Sequence, residues 1–353
     1  MTEVATPALP GLETVEPPRP QAEHRRWLEH GPSRRLMLFS GRSHPALAEA
    51  IAERLGIELG EVELKTFANG ETYCRYEESI RGADVFLVQT GCEPVDRNLV
   101  ELLIMIDAAR LASTHRITAV MPWFPYSRQD KKAKPREPIS AKLVAEMLQV
   151  AGADRVLTMD LHAGQIQGFF RIPVDHMRAL PLFAQYFRDR GLSGEGVVSV
   201  SPDAGRAKVA EKFAEMLESP HPVAIMSKTR PRHDLAVTTN VIGEVDGKVA
   251  ILTDDIISTG STLITAASAL KAAGAVDTYA CATHGLFPAD ALTKLTASEL
   301  REIVVTDTVP VNPLTKPDKL TVLTVSGLLA ETIANVFSDE SVSAIFAGEN
   351  QLF

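Results

Sequence analysis

The sequence contains few cysteines and no long apolar run, and its charge balance lacks a basic excess. The three cysteines, Cys74, Cys92 and Cys281, form no CxxC pair, which argues against both a disulfide scaffold and a zinc site. No uninterrupted apolar segment reaches about 18 residues, so no membrane span is expected. The net charge of −9 argues against a nucleic-acid-binding protein, although a local basic pocket could still bind a small anion.

The N-terminal segment also lacks hydrophobic periodicity. Residues 1–33 carry prolines at positions 7, 10, 17, 18, 20 and 32, and we predict that they form a disordered tail. A short helix over AEHRRWLEH is the alternative. The first residues are acidic rather than basic, so the chain does not begin like a secretory signal, and we expect a cytoplasmic protein.

From Leu36 onward, short apolar runs alternate with helical patterns. LMLFS, DVFLVQT, RITAVMPW and RVLTMDLH are strand candidates in the first half, and GVVSVSPD, KVAILTDD and VDTYACATHG are examples in the second. The alternation predicts parallel sheets flanked by helices. The length of 353 residues suggests about two domains of ~150 residues, with a break near MRALPLF. Many strands end in polar residues, where open parallel sheets bind their ligands.

One of these strand ends carries a distinctive pattern, KVAILTDDIISTGSTLITAASALKAAG. An apolar strand leads to Asp254 and Asp255, and small residues then precede a helix: Ser258, Thr259, Gly260, Ser261 and Thr262. Backbone N–H groups at a helix N-terminus favour a phosphate, and carboxylates can accept hydrogen bonds from sugar hydroxyls or hold hydrated magnesium. Together they suggest a ribose phosphate site. The alternative is an ordinary helix cap with acidic neighbours.

This stretch resembles the ribose 5-phosphate loop of the ribose-phosphate pyrophosphokinase family, and the resemblance extends from about Leu36 to the C-terminus. It implies an α/β fold of two similar phosphoribosyltransferase-type domains, each a mainly parallel sheet flanked by helices. We expect the first domain over 34–178 and the second over 179–340. Residues 341–353 are expected to form a C-terminal segment that packs back on the first domain.

Two further motifs resemble the ATP site of that family. In TFANGETYCR, the resemblance implies that Phe67 stacks on the base and that Asn69 and Glu71 bind it or its surroundings, although Asn-Gly alone indicates only a turn. In PWFPYSRQDKKAKPREPISAK, Arg128 and Gln129 correspond to ATP-site residues. A basic run is otherwise most often a solvated loop. Many relatives have an acid where this chain has Ala133.

The phosphate-transfer machinery is implied by three more motifs. In TMDLHAG, His162 corresponds to a magnesium–ATP ligand, with Asp160 expected to support it; in SPDAGR, Asp203 corresponds to a second metal position. In SKTRPRHD, Lys228 and Arg230 correspond to catalytic cations that would stabilise charge on the transferring group. Without the resemblance, a structural histidine and a solubilising loop would be preferred.

A last set of residues resembles the family's inter-subunit anion site, where phosphate activates and ADP inhibits. Its members are Ser79, Arg81, Ser113, Arg136, Ser341 and Ser343. The resemblance further implies a homo-oligomer, a hexamer in type, that completes its ATP site across subunits.

The resemblance therefore implies magnesium-dependent transfer of the diphosphoryl group of ATP to O1 of ribose 5-phosphate, with AMP as the second product. The alternatives are a phosphoribosyltransferase and a catalytically silent regulatory paralogue. Ser258 and Ser261 depart from the commonest family residues, which are aspartate and glycine, and we expect these departures to affect substrate affinity rather than the type of reaction.

Overall fold

The computed structural model of the protein describes residues 28–30, 34–229 and 238–342. The strands of the first half are β1 (Leu28–His30), β2 (Arg34–Ser40), β3 (Val62–Thr66), β4 (Thr72–Tyr76), β5 (Asp84–Val88), β6 (Arg116–Met121), β7 (Arg155–Met159) and β8 (Val174–Met177). The helices of this half are α1 (Pro45–Leu55), α2 (Val95–Leu111), α3 (Ser140–Ala151) and α4 (Leu180–Arg188).

The second half repeats this alternation. Its strands are β9 (Val197–Ser201), β10 (Ala224–Thr229), β11 (Thr238–Ile242), β12 (Val249–Ile257), β13 (Asp277–Gly285), β14 (Glu302–Thr306) and β15 (Leu320–Leu323). Its helices are α5 (Ala207–Met216), α6 (Ser261–Ala272), α7 (Ala291–Thr296) and α8 (Ser326–Phe337). Within the described ranges, no helix combines the length and apolar character that a membrane span requires.

The strands form two large sheets and one hairpin. The first sheet has the order β1-β2-β5-β6-β7-β8 and is parallel except for β1. The second has the order β11-β10-β9-β12-β13-β14-β15 and is parallel except for β11. Strands β3 and β4 form a separate antiparallel hairpin. The predicted fold of two mainly parallel sheets flanked by helices is confirmed.

The two sheets share a central core. Side chains from β2, β5, β9 and β12 pack there with helices α1, α4 and α8, around Phe86, Phe187 and Ile251. The outer face of the first sheet packs on α2 and α3, and that of the second sheet on α6 and α7. Because both faces of each sheet are covered, their central strands are almost continuously apolar. That is why the sequence reveals them so clearly.

Helix α8 joins the two halves of the chain. It packs on α1 of the first half, and Arg54 Nε donates to Ser326 Oγ over 2.8 Å. Just beyond α8, Asp339 accepts hydrogen bonds from Arg34 and Arg116 at 2.8 and 2.9 Å. The chain thus returns to the first sheet before residue 341. Residues 341–353 were predicted to pack on the first domain, but residues 343–353 lie outside the described residues.

Five strands were not anticipated from the sequence. Leu28–His30 lie within the predicted tail, and form an edge strand on β2 instead of the helix considered there. The β3–β4 hairpin turns at the Asn69–Gly70 pair, whose sequence predicted only the turn. Strands β8 and β11 are short, and the first two residues of β8 are only half-buried. Short or partly exposed strands carry weak apolar patterns, so their period is hard to detect.

Candidate active site

The two carboxylates of the distinctive motif lie inside a strand that continues beyond them. The strand candidate KVAILTDD ends at Asp255, but β12 continues to Ile257 because its backbone still pairs with β13, with Asp254 opposite Ala282 and Ile256 opposite His284. Asp255 is buried, with 4% of its side chain exposed, whereas 21% of the Asp254 side chain is exposed. Asp254 is therefore more accessible to a ligand than Asp255.

Asp255 connects the two halves of the molecule. Its Oδ2 atom lies 2.6 Å from Nδ1 of His162, which follows β7 of the first sheet. The same oxygen forms a close ion pair with the guanidinium of Arg206, which precedes α5. Arg206 Nε lies 3.7 Å from Asp254 Oδ1, so one guanidinium faces both carboxylates. A histidine, two acids and an arginine thus meet where the sheets approach each other.

The acidic pair is electrostatically asymmetric. Burial raises the pKa of Asp254 to about 7, and the neighbouring Asp255 carboxylate adds to the rise. Burial also acts to raise the pKa of Asp255, but the hydrogen bond from His162 and the positive charge of Arg206 outweigh it and hold that pKa well below the usual range. Asp255 therefore stays ionised near neutral pH, and the charge of Asp254 is the more easily lost.

The small residues after β12 form a tight turn into α6. The loop proper is Ser258–Gly260, because Ser261 and Thr262 are already the first residues of the helix. Gly260 has φ +73°, and a Cβ there would lie 2.5 Å from the Leu295 side chain. Thr259 Oγ1 lies 3.2 Å from Ser261 Oγ. Hydroxyls and the N-terminal N–H groups of α6 are thus gathered at one point, which suits a phosphate.

Buried polar contacts join the two sheets around this site. Thr283 Oγ1 donates to Asp160 Oδ2 over 2.7 Å, and the backbone N–H of Ala179 donates to the same oxygen over 2.8 Å. His284 Nε2 lies 3.2 Å from the carbonyl oxygens of Met159 and Asp160. The expectation that Asp160 supports His162 is therefore wrong at the level of direct contact: the partner of His162 is Asp255, and Asp160 instead joins the sheets.

His162 and Asp203 have donor atoms that fit magnesium. The His162 tautomer that donates from Nδ1 to Asp255 has its Nε2 lone pair available for a cation. Asp203 Oδ1 accepts the Arg206 N–H over 3.1 Å, and its side chain is exposed. Among the described residues, no group of three or more His, Cys, Asp or Glu side chains could hold a metal. Magnesium that is shared with substrate phosphates is typically bound by one or two carboxylates, and Asp203 supplies one here.

Arg128 and Gln129 lie beside a separate cavity of about 560 Å³. Gln129 Oε1 accepts a 2.6 Å hydrogen bond from Ser140 Oγ at the start of α3. Other residues that line this cavity include Asp96, Arg97, Trp123, Tyr126 and Leu286. Arg97 and Arg206 were not predicted as site residues from the sequence, since each is a single cation whose importance depends on which strands become neighbours.

The third predicted ATP-site element is the β3–β4 hairpin. Phe67 is 46% exposed at its turn and meets Tyr73 edge-on. Asn69 Oδ1 accepts from the Glu71 N–H over 3.2 Å, so it stabilises the turn itself. The hairpin approaches the cavity through Thr66, whose Oγ1 accepts from Arg97 over 2.6 Å. Hairpin and cavity are therefore adjacent, and the aromatic ring remains available for contact.

The predicted catalytic cations fall at the border of the described residues. Lys228 lies on β10, opposite Thr239 of β11. Arg230 lies outside the described residues. Their roles remain predictions.

The structure divides the predicted anion-site residues between opposite ends of the strands of the first sheet. Arg35 donates to the carbonyl oxygens of Ser79 and Arg81 over 3.1 and 3.2 Å, and the Ser113 carbonyl accepts from Gly82 N–H. These residues precede β5 and β6, and Ser341 follows Asp339, which is bonded to residues at the starts of β2 and β6. Arg136 follows β6 and precedes α3, at the other end of the strands. Ser343 lies outside the described residues. One chain thus does not bring the predicted set together.

Comparisons with known proteins agree with this architecture. Residues 36–152 match the family model of the N-terminal domain of ribose phosphate pyrophosphokinase, and residues 201–347 match the phosphoribosyl synthetase-associated domain. A ribose-phosphate pyrophosphokinase of Caldanaerobacter subterraneus is 51% identical over 311 residues, covering 88% of this chain and 98% of that protein. The chloroplastic ribose-phosphate pyrophosphokinase 2 of Arabidopsis thaliana is 49% identical over 312 residues, covering 88% of this chain and 78% of that protein.

A solved structure resembles the protein over the same region. The crystal structure of phosphoribosylpyrophosphate synthetase from Mycobacterium smegmatis has a TM-score of 0.81 and 46% sequence identity, and covers 86% of this chain and 99% of that chain. The chain therefore belongs to the ribose-phosphate pyrophosphokinase family.

Proposed function

We propose that the protein transfers the diphosphoryl group of ATP to O1 of ribose 5-phosphate, giving 5-phospho-α-D-ribose 1-diphosphate and AMP. The observation that carries the proposal is that Asp254 and His162 line one cavity between the two sheets, while the Ser258–Gly260 turn follows the strand that carries Asp254. That strand supplies a carboxylate for sugar hydroxyls and leads into a helix N-terminus for a phosphate. A histidine able to bind a cation faces them from the other sheet.

The reaction is an in-line displacement at the β-phosphorus. A bond forms between O1 of the sugar and that phosphorus, the bond from the β-phosphorus to the bridging α–β oxygen breaks, and AMP leaves with the bridging oxygen. The hydroxyl proton passes to solvent, and we assign no general base. Catalysis of this kind depends mainly on positioning and on stabilising charge in the transition state.

Each element of the site has a defined task in this proposal. The α6 N-terminus and residues 258–262 bind the 5-phosphate, and Asp254 accepts from the sugar hydroxyls. Lys228 and Arg230 stabilise charge on the transferring group. His162 and Asp203 would hold Mg²⁺, which neutralises polyphosphate charge when bound. The cavity beside Arg128 and Gln129 receives ATP, with Phe67, Asn69 and Glu71 on the base side.

We also propose an assembly and its regulation, supported by the positions of the remaining residues. Phe67 is exposed on a hairpin, and Arg136 follows β6 whereas Ser79, Arg81 and Ser113 precede β5 or β6. We therefore infer a homo-oligomer, a hexamer in type, in which neighbouring copies complete both the ATP site and the anion site. Inorganic phosphate would activate at the anion site and ADP would compete. The proposed location is the cytoplasm.

The test is to identify the nucleotide product. Purified protein with magnesium, ATP and ribose 5-phosphate should form AMP, separated by ion-exchange chromatography, at a rate that falls to background with ribose in place of ribose 5-phosphate. This control removes only the phosphate that α6 would bind. Formation of ADP, or AMP formation that does not depend on the sugar phosphate, would contradict the proposal.

A further inference from the structure

Arg206 lies among the site residues, and its side chain is only partly exposed to solvent. It follows a short 3₁₀ turn, Ala204–Arg206, and its side chain is 21% exposed. Its backbone N–H donates to Asp203, and its guanidinium faces Asp255 and Asp254. One residue thus touches three acids of the site, all supplied by the second sheet or the turn that follows it.

Asp254 and Asp255 make different contacts, which suits them to different roles. Asp255 is 4% exposed, and a single oxygen, Oδ2, receives both Arg206 and His162. Because this carboxylate is buried and engaged, it is poorly placed to accept hydrogen bonds from a sugar. Asp254 is the more exposed acid, and its closest approach to Arg206 is 3.7 Å. It remains accessible to a hydroxyl group.

We infer that Arg206 is a positioning residue that reserves Asp255 for His162 and leaves Asp254 as the carboxylate that contacts ribose 5-phosphate. The inference rests on the proposed function and corrects the expectation that both acids bind the sugar. Arg206 fixes the Asp255 carboxylate, and Asp255 in turn fixes the tautomer and direction of the His162 ring. Loss of Arg206 therefore acts on the ATP side of the reaction rather than on sugar binding.

The test compares Arg206→Gln, Arg206→Lys and Asp254→Asn with the wild type. Calorimetry measures the Kd of ribose 5-phosphate, and steady-state kinetics measure kcat. We expect Arg206→Gln to lower kcat at least tenfold while the Kd stays within about threefold, and Arg206→Lys, which keeps the charge but not the forked geometry, to recover part of kcat. Asp254→Asn should raise the Kd at least tenfold, since hydrogen bonds to a charged group are strong. Lys212→Gln, which removes a cation of α5 that pairs with Glu215, is the matched control and should change neither quantity.

Two results would overturn the inference. One is an Arg206→Gln Kd that rises as much as that of Asp254→Asn, which would make Arg206 part of the sugar site. The other is a kcat for Arg206→Gln within twofold of the wild type. If Arg206→Gln does not fold, as judged by circular dichroism, Arg206→Lys carries the same comparison. A wild type that binds ribose 5-phosphate but forms ADP contradicts the proposed function alone, because the Kd comparison does not depend on the reaction.

Discussion

Two features of the structure disfavour a side chain at Gly260. Its φ of +73° disfavours a side chain, and an added Cβ would lie 2.5 Å from Leu295. We expect Gly260→Ala to lower the free energy of unfolding by about 1–2 kcal/mol from backbone strain, with about 1–3 kcal/mol more from overpacking. Because the turn also positions α6, the Kd of ribose 5-phosphate should rise.

Gly247→Ala is the matched control for this substitution. Gly247 has φ +70°, but an added Cβ would meet nothing within 4 Å, so only the backbone strain of about 1–2 kcal/mol applies. Urea unfolding of both variants separates the two contributions. Equal losses of stability would show that Leu295 moves aside without cost.

Single residues also show what can and cannot be predicted from sequence. The turn at Gly260 was predicted because its chemistry is local, and its phosphate-binding role stays a prediction. Arg206 could not be, since its partners Asp254 and Asp255 are about 50 residues away and become neighbours only when β12 pairs with β9. Asp160 was assigned to the wrong partner for the same reason, because Thr283 comes from the other sheet.

At the scale of elements, Asp84 joins three segments of the chain at the start of β5. Its side chain is 2% exposed and accepts from Arg34 at 2.6 Å, Arg116 at 2.8 Å and His115 at 2.6 Å. Burial alone would raise the pKa of Asp84, but the hydrogen bonds from these three groups hold it below its ordinary value. Arg34 and Arg116 also bind Asp339 beyond α8, so this carboxylate supports the return of the chain to the first sheet.

The depressed pKa of Asp84 predicts how stability depends on pH. A group with a lower pKa in the folded state stabilises the fold above its unfolded pKa, about 3.9, and that contribution is lost as the pH falls through the folded value. We expect Asp84→Asn to cost about 3–5 kcal/mol at neutral pH, because two guanidiniums lose a buried partner. Its unfolding free energy should also fall less steeply than that of the wild type below about pH 4.

Asp339→Asn tests whether the expected loss of stability depends on burial of the carboxylate. Arg34 and Arg116 lower the pKa of Asp339 to about 2, but its side chain is 54% exposed, and exposed ion pairs contribute at most about 1 kcal/mol. Urea titrations of both variants from pH 2 to pH 7 make the comparison. Equal losses at neutral pH would contradict the account.

The edge strand β1 gives a second prediction at this scale. Deletion of residues 1–27 should leave the melting temperature unchanged, because the sequence there lacks an apolar period. Deletion of residues 1–33 also removes β1 and exposes the backbone of β2, so we expect a melting temperature lower by a few degrees and greater aggregation. Differential scanning calorimetry compares the two truncations. Identical curves would show that β1 contributes nothing to the first sheet.

Elements were predicted well where they are long and buried and poorly where they lie at an edge. The apolar runs of β2, β5, β6 and β7 identified the first sheet because both faces of it are covered. The alternation in the β3–β4 hairpin and in β1 is weak, since these strands are short and partly exposed or lie at an edge. The end of β12 was misplaced because its last residues are held by pairing with β13, which overrides their polarity.

At the scale of the whole molecule, the division of the anion-site residues predicts assembly. Ser79, Arg81 and Ser113 precede β5 and β6 of the first sheet, and Arg136 follows β6 at the opposite end of the strands, so we expect a shared site to require a second copy. We expect Arg81→Ala and Arg136→Ala each to weaken activation by inorganic phosphate, since each removes a charge-assisted contact. Turnover at saturating substrate should be largely retained.

Mixing the two variants tests the shared site directly. If one copy supplies Arg81 and its neighbour supplies Arg136, subunits exchanged between the two variants form some intact sites, and phosphate activation should partly return. Arg81→Ala mixed with itself is the control and should show no recovery. No recovery in the exchanged mixture, with exchange verified by mass spectrometry, would contradict a site formed between copies.

The central claim concerns the whole reaction, and the fate of the β-phosphorus tests it most directly. The protein is incubated with magnesium, ribose 5-phosphate and ATP labelled with ³²P at the β position, and the products are separated by chromatography. The account predicts that the label appears in 5-phospho-α-D-ribose 1-diphosphate while unlabelled AMP accumulates in equal amount. Label recovered in ADP would show transfer of the γ-phosphoryl group alone and would contradict the account.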